Sequence, residues 1–465
     1  MKIENIIKDN QGGTVLFLGR VTNFTPEELT NFLEAQGVNY TDKYKGQPIA
    51  LTVISTMMTP LEDDISYELY DAKIPEVRLA EFEEFYTKYI KPNTLMMSLK
   101  LSNDQEKLKR LLKNESFSDE VYLKLFKMYD WGADGVYDND DNRDVTITFV
   151  KRFFRPNSFR DPAMIYSPIT LFSIIKDTED MSILDAMLTM PNYEIKQSKK
   201  EGLRPKNLRE IIALNESISY ENIRYLLSFN NRRINIFLAC NSASNLDVQE
   251  HIYNNSDNTI HLMLTQNSGL DDTLFNKLLK SDEQIVGSLL TFQKITENRL
   301  KIIFEANLKE ETLAMMGENQ QIADVADQLI GLNRLLDYKL ASNKQLTTEQ
   351  LNRLYSIYGD DFILPLSSNF NLEPKLLEKF YTYADEEVIL NIASNPSTPQ
   401  AILDELSEKN IYKFNRALAI NLSTKLIYLE QFALDSELIM LMTTNQTYLD
   451  SISSGDIGRG RDDRY

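Results

Sequence analysis

One spacing constrains this chain more than any other feature. Asparagine recurs at Asn215, Asn241, Asn267, Asn319, Asn343, Asn369, Asn395, Asn421 and Asn445, and Gln293 fills the one gap. Successive steps are 26 residues, with two of 24. The surroundings repeat as well. Leu340-Ala341-Ser342-Asn343, Leu366-Ser367-Ser368-Asn369, Ile392-Ala393-Ser394-Asn395 and Leu418-Ala419-Ile420-Asn421 share the pattern apolar, small, any residue, Asn. Helix-start signals follow within a few residues, as in Thr347-Thr348-Glu349-Gln350 and Thr398-Pro399-Gln400. Each unit therefore reads as a short helix, a turn at Asn and a second helix. Neither helix buries its apolar face alone, so the units must stack into a solenoid. Asn suits such a turn because it tolerates left-handed backbone and its side chain can bond nearby backbone groups. The structural reading of these positions is a stacked Asn ladder in the core. Small residues before each Asn allow close backbone packing.

These units resemble the variant leucine-rich repeat, which is all-helical, and more loosely HEAT-type repeats. The resemblance covers about residues 208–450. It implies a long surface for protein partners.

Residues 13–90 alternate strand and helix signals instead. Thr14-Val15-Leu16-Phe17-Leu18 and Ile49-Ala50-Leu51-Thr52-Val53-Ile54 are short apolar runs of buried-strand type. Thr25 can cap a helix that has Pro26, Glu27 and Glu28 in its first turn and ends at Gly37. A second helix is expected over Ser66–Ala72, a short strand at Pro75-Glu76-Val77, and a closing helix over Leu79–Ile90. Alternating strands and helices imply a parallel sheet covered on both faces.

This stretch resembles a BRCT domain, on Thr14–Gly19, Thr25–Leu29, Leu33–Val38 and Ala72–Phe82. Phosphopeptide binding in that family implies a Ser or Thr beside the first-turn glycine and a Lys on the second helix. Here Leu18 precedes Gly19 and Arg20 follows it, and no Lys or Arg occurs from Leu51 to Ala72. The resemblance therefore implies protein binding without phosphate chemistry. Arg20 at a helix entrance could attract an anion, but a solvated surface role is the simpler reading.

The fold expected is mainly α: a small N-terminal α/β domain (1–92), a helical linker domain (93–205), an α-solenoid (206–451) and a disordered polar tail (452–465). No stretch approaches the roughly 18 consecutive apolar residues of a membrane span, and the N-terminus lacks the apolar core of a signal peptide. A cytoplasmic protein is expected. With 69 Asp+Glu against 50 Lys+Arg, the net charge of −19 opposes nucleic acid and anionic membranes on average.

The middle segment departs from that field. Arg143–Arg233 holds 15 Lys+Arg and 11 Asp+Glu. A nucleic-acid surface built from Lys151, Arg152, Arg155, Lys196, Lys199, Lys200, Arg204 and Lys206 is one reading, since Phe153, Phe154 and Phe159 interleave the first cluster. Against it stands a core role for Phe153 and Phe154, with the cations paired to acidic neighbours. Asp138, Asp140, Asn142 and Asp144 have the 1, 3, 5, 7 spacing of a calcium loop, but Arg143 replaces its Gly and Phe149 its Glu, so a solvated loop is expected.

No phosphate loop, dinucleotide fingerprint or His-Glu-x-x-His pair occurs. The lone Cys240 sits in Phe237-Leu238-Ala239-Cys240 and reads as a packed thiol, Trp131 as a packing anchor, and His251 and His261 lack an obvious carboxylate partner. No catalytic residue, metal ligand or cofactor is assigned. The expected function is a non-enzymatic scaffold for protein partners. The alternative is a nucleic-acid-associated protein of replication or repair that uses the basic middle segment.

Overall fold

A computed structural model describes residues 2–154, 164, 166–194, 204–383 and 385–454. The chain is mainly helical, with one four-stranded sheet near its N-terminus. It divides into two compact units, Met1–Ile234 and Asn235–Tyr465. That division falls later than the 205/206 boundary expected from the repeat alone, and the segment carrying Asn215 bonds back to Ile175 and Thr178 in the first unit.

In the first unit, β1 (Thr14–Leu18), β2 (Asn39–Thr41), β3 (Ile49–Ile54) and β4 (Glu76–Arg78) form a wholly parallel sheet in the order β2-β1-β3-β4. Strand periodicity sends alternate residues to opposite faces. Val15, Phe17, Leu51, Val53 and Val77 pack with α1 (Ile3–Asp9), α2 (Pro26–Ala35) and α4 (Leu79–Lys88), through Ile6, Leu33, Phe82 and Phe85 among others. Leu16 and Leu18 face the other way, joined by Ile49 across the register shift between Thr14 and Val15, and meet α3 (Pro60–Asp71), whose one buried residue is Leu69.

Thr25 and Thr59 each close a capping box, with Glu28 and Glu62, and Pro26 and Pro60 open the two helices. The second box corrects the expected start of α3. The helix begins at Pro60, six residues before Ser66, on the same Thr-Pro-x-Glu signal that marks α2. Helix α1 and strand β2 carry too few periodic residues to be read from pattern alone.

Among the described residues, eight further helices lie wholly in this unit: α5 (Pro92–Ser102), α6 (Gln105–Leu112), α7 (Asp119–Phe126), α8 (Asp140–Phe153), α9 (Pro168–Asp177), α10 (Met181–Met187), α11 (Leu208–Ile212) and α12 (Tyr220–Leu227). Glu28 of α2 pairs with Arg110 at 3.1 Å and Lys107 at 3.3 Å, both on α6. Phe126, Phe149 and Trp131 form an aromatic core under α7 and α8. Trp131 is thus buried in that core.

The second unit is an array of short helices in pairs, such as Gln400–Lys409 with Tyr412–Ile420. In each pair the second helix ends one to three residues before a ladder residue. The last helix, Gln446–Ser454, takes in the first three residues of the expected tail, and 455–465 lie outside the described residues.

Candidate interaction surfaces

The repeated asparagine is a backbone clamp. In the second unit its Nδ2 donates to the carbonyl of the preceding ladder residue at 2.7–3.1 Å, from Asn267 to Asn241 through Asn445 to Asn421, with Gln293 included. The same amide reaches a second carbonyl next to that residue, such as Ala239, Gly317, Ala341, Ala393 or Ala419. Oδ1 accepts the N–H two residues on, as from Gly269, Gln345, Asn371, Ser397 and Ser423. All these ladder side chains are buried. Each therefore satisfies helix-end carbonyls that burial would otherwise leave without partners. The small residue of the motif is explained by the same contact, since its carbonyl must be reached from the next unit.

The turn itself is not left-handed. Asn319, Asn395 and Asn421 have φ of −72°, −80° and −77° with extended ψ. The asparagines with positive φ are others, namely Asn103, Asn230, Asn307 and Asn410. Side-chain bonding selects Asn in the ladder, and conformational tolerance selects it elsewhere.

Gln293 needs help that Asn does not. Its side chain is one methylene longer, and its Oε1 accepts from Arg299 Nη1 at 3.2 Å. Arg299 is itself buried, pairs with Asp272 at 2.7 Å, donates to Leu270 O and lies 4.6 Å over the Phe275 ring.

Asn215, in the first unit, makes the same kind of contact. Its Nδ2 donates to Ile175 O at 2.5 Å and Thr178 O at 3.0 Å, and its Oδ1 accepts the Ser217 N–H. Helix α9 thus acts as the clamped helix of a degenerate unit. Thr178 in the place of Asn, and a separation of 37 residues where 26 is usual, hid it from the spacing.

At the first turn of the sheet module, Gly19 has φ +81°, which an L side chain rarely adopts. Its N–H donates to Glu62 Oε1 at 3.0 Å. Glu62 also accepts from the Thr59 N–H and hydroxyl, and these bonds hold its carboxyl below the ordinary range. A carboxylate of the chain itself thus occupies the backbone donor where an external anion would sit. Arg20 is exposed beside it.

Of the residues proposed to contact nucleic acid, Arg155, Lys196, Lys199 and Lys200 lie outside the described residues, as does Phe159. Arg152 is committed internally. It pairs with Asp119 at 2.6 Å, donates to Phe117 O and lies 4.8 Å over the Tyr122 ring. Phe153 packs on Phe149 and Tyr122. Lys151, Arg204 and Lys206 are exposed and form no ion pair among the described residues.

The spacing that mimics a calcium loop does not converge. Asp138 accepts the Gly135 N–H, Asp140 pairs with Arg143 and Asp144 with Lys113. Asn142 is buried, where it donates to Trp131 O and Gly135 O and accepts from the Tyr129 hydroxyl. Among the described residues, no group of three or more His, Cys, Asp or Glu side chains is placed to hold a metal. Burial pushes the Cys240 thiol up to about 11, which leaves little thiolate at neutral pH. His261 stacks on Tyr253, with ring centroids 4.5 Å apart, and its Nε2 lies 2.9 Å from Tyr253 O.

The array also carries a shallow apolar depression of about 360 Å³, lined by Leu390, Lys413, Arg416, Ala417, Ile420 and Leu441. Lys413 at its edge is paired with Glu386 at 2.6 Å. No described helix is long and apolar enough to cross a membrane.

Fold and surfaces together define a mainly helical protein with a small parallel-sheet module and a clamped helical array. Comparison of the chain with known protein families, with curated proteins and with solved structures finds no match in any of the three.

Proposed function

We propose that this protein is a non-enzymatic cytoplasmic scaffold, with a BRCT-like module and a variant-leucine-rich-repeat array each offering a surface to protein partners. The observation that carries this reading is the buried amide ladder. It spends its polar groups on holding successive helices in register, which leaves a rigid platform with outward faces free to bind. The parallel order β2-β1-β3-β4, with helices on both faces, supports the BRCT-like part. Glu62 on the Gly19 N–H supports binding without phosphate.

The test is affinity capture of the full-length chain from nuclease-treated lysate, followed by cross-linking to locate the contacts. Stoichiometric protein partners cross-linked to the module or the array are expected. Loss of every partner after nuclease would overturn the scaffold reading.

Lys151, Arg204 and Lys206, exposed and without an ion pair among the described residues, favour nucleic acid as the second reading. Phosphate contacts would make affinity for a DNA or RNA probe fall steeply with salt. Glu at Lys199, Lys200 and Arg204 would then abolish binding, and unchanged binding would remove that patch as the site.

A further inference from the structure

Helix α3 is the least covered helix of the sheet module. Its inner side, through Ile65 and Leu69, closes one face of the sheet. Its outer side presents Tyr67 and Tyr70, which are 72% and 67% exposed. Tyr67 and Tyr70 are three residues apart, so they lie side by side on the helix surface. Adjacent exposed aromatic rings form a contiguous apolar patch, and large patches of that kind mark interaction sites.

Charge says what would cover it. From Leu51 to Ala72 the chain has five carboxylates and no cation. Glu62 is used internally. Asp63, Asp64, Glu68 and Asp71 are exposed and form no ion pair among the described residues. Elsewhere on this acidic chain many surface carboxylates do have a cation, as Glu386 has Lys413 and Asp404 has Lys425. Lys73, just past the helix, is the nearest cation in sequence.

We infer that the outer face of α3 docks a basic, apolar-faced segment of another protein. The two tyrosine rings would take aliphatic side chains and the faces of arginine guanidinium groups, and the flanking carboxylates would pair with its cations. A second copy of this chain is disfavoured, because it would set the same four carboxylates against each other. Nucleic acid is disfavoured for the same reason.

The inference rests on the interaction reading above but is tested separately, with purified full-length protein. The probe is a fluorescent amphipathic peptide of arginine and leucine. Its controls are the same peptide with glutamate for arginine and with serine for leucine. The expected result is saturable binding of the first peptide only, with hydrogen-exchange protection over residues 60–71. Tyr67→Ser with Tyr70→Ser should weaken it at least tenfold, while Tyr412→Ser on the array leaves it unchanged. Equal binding of the arginine–serine peptide, protection only outside 60–71, or full affinity in the double variant would overturn the docking face. None of those results bears on whether the array captures protein partners, so the two readings fail separately.

Discussion

Replacing Asn369 by alanine interrupts the ladder at its middle and tests whether the ladder holds the array. In the folded chain Asn369 Nδ2 donates to Asn343 O at 2.8 Å and Ala341 O at 3.1 Å, and Oδ1 accepts the Asn371 N–H at 3.0 Å. The residue is fully buried. Alanine keeps the backbone and leaves three groups without their partner. Each unsatisfied buried group costs about 1–3 kcal/mol, and the vacated volume adds a cavity term. Allowing for relaxation of the exposed side of the turn, the expected loss is about 3–6 kcal/mol. Urea unfolding followed by circular dichroism reads the loss, and hydrogen exchange locates it. Amides of 334–341 and 363–367 should exchange faster, while the sheet module should not change. Asn369→Asp sharpens the test. It keeps the acceptor for Asn371 but turns an oxygen toward two carbonyls. It should be worse than alanine at neutral pH and recover as acid protonates it, since only the acid form can donate. Two results would refute the ladder as the source of rigidity. One is a loss below about 1 kcal/mol in the alanine variant, less than a single unpaired buried group costs. The other is an aspartate variant as stable as wild type at neutral pH.

Arg299→Met should cost about 2–3 kcal/mol, because charge-assisted bonds to Asp272 and Leu270 O and the partner of Gln293 are lost together. Adding Gln293→Asn should recover part of that in the same urea titration by restoring the regular clamp. Cys240 should react with iodoacetamide at neutral pH far more slowly in the folded chain than in urea, since burial pushes its thiol up to about 11. Glu83 is buried against Asn23, and burial holds its carboxyl above the ordinary range. Its contribution to stability is therefore present below the ordinary glutamate range and lost as pH rises through the raised folded value. Glu83→Gln should gain on wild type in thermal melts as pH rises above the ordinary glutamate range, and a constant difference would exclude the linkage.

Much of this architecture is local chemistry and could be read before any coordinates. The strand runs at Thr14–Leu18 and Ile49–Ile54, the Thr25 capping box and the regular spacing of Asn each depend on residues a few positions apart, or on a repeat that counting detects. The start of α3 was equally legible, since Thr59-Pro60-Leu61-Glu62 repeats the signal at Thr25. Other features were not local. That Glu62 would occupy the Gly19 N–H joins residues 43 apart, and no pattern announces it. Arg152 looked available from its basic neighbours and is instead held by Asp119, Phe117 O and Tyr122. Asn215 reaches back over a longer insert to α9, so counting stops one unit early. Sequence alone determined the period of the array and the residue that marks it, because a buried amide with two donors and an acceptor is required at every repeat. Tertiary structure decided which groups those amides serve, which cations are already spent, and that the aromatic side of α3 is left bare. Hydrogen bonds and burial between distant segments depend on how the helices stack, and that is not a property of any one stretch of chain.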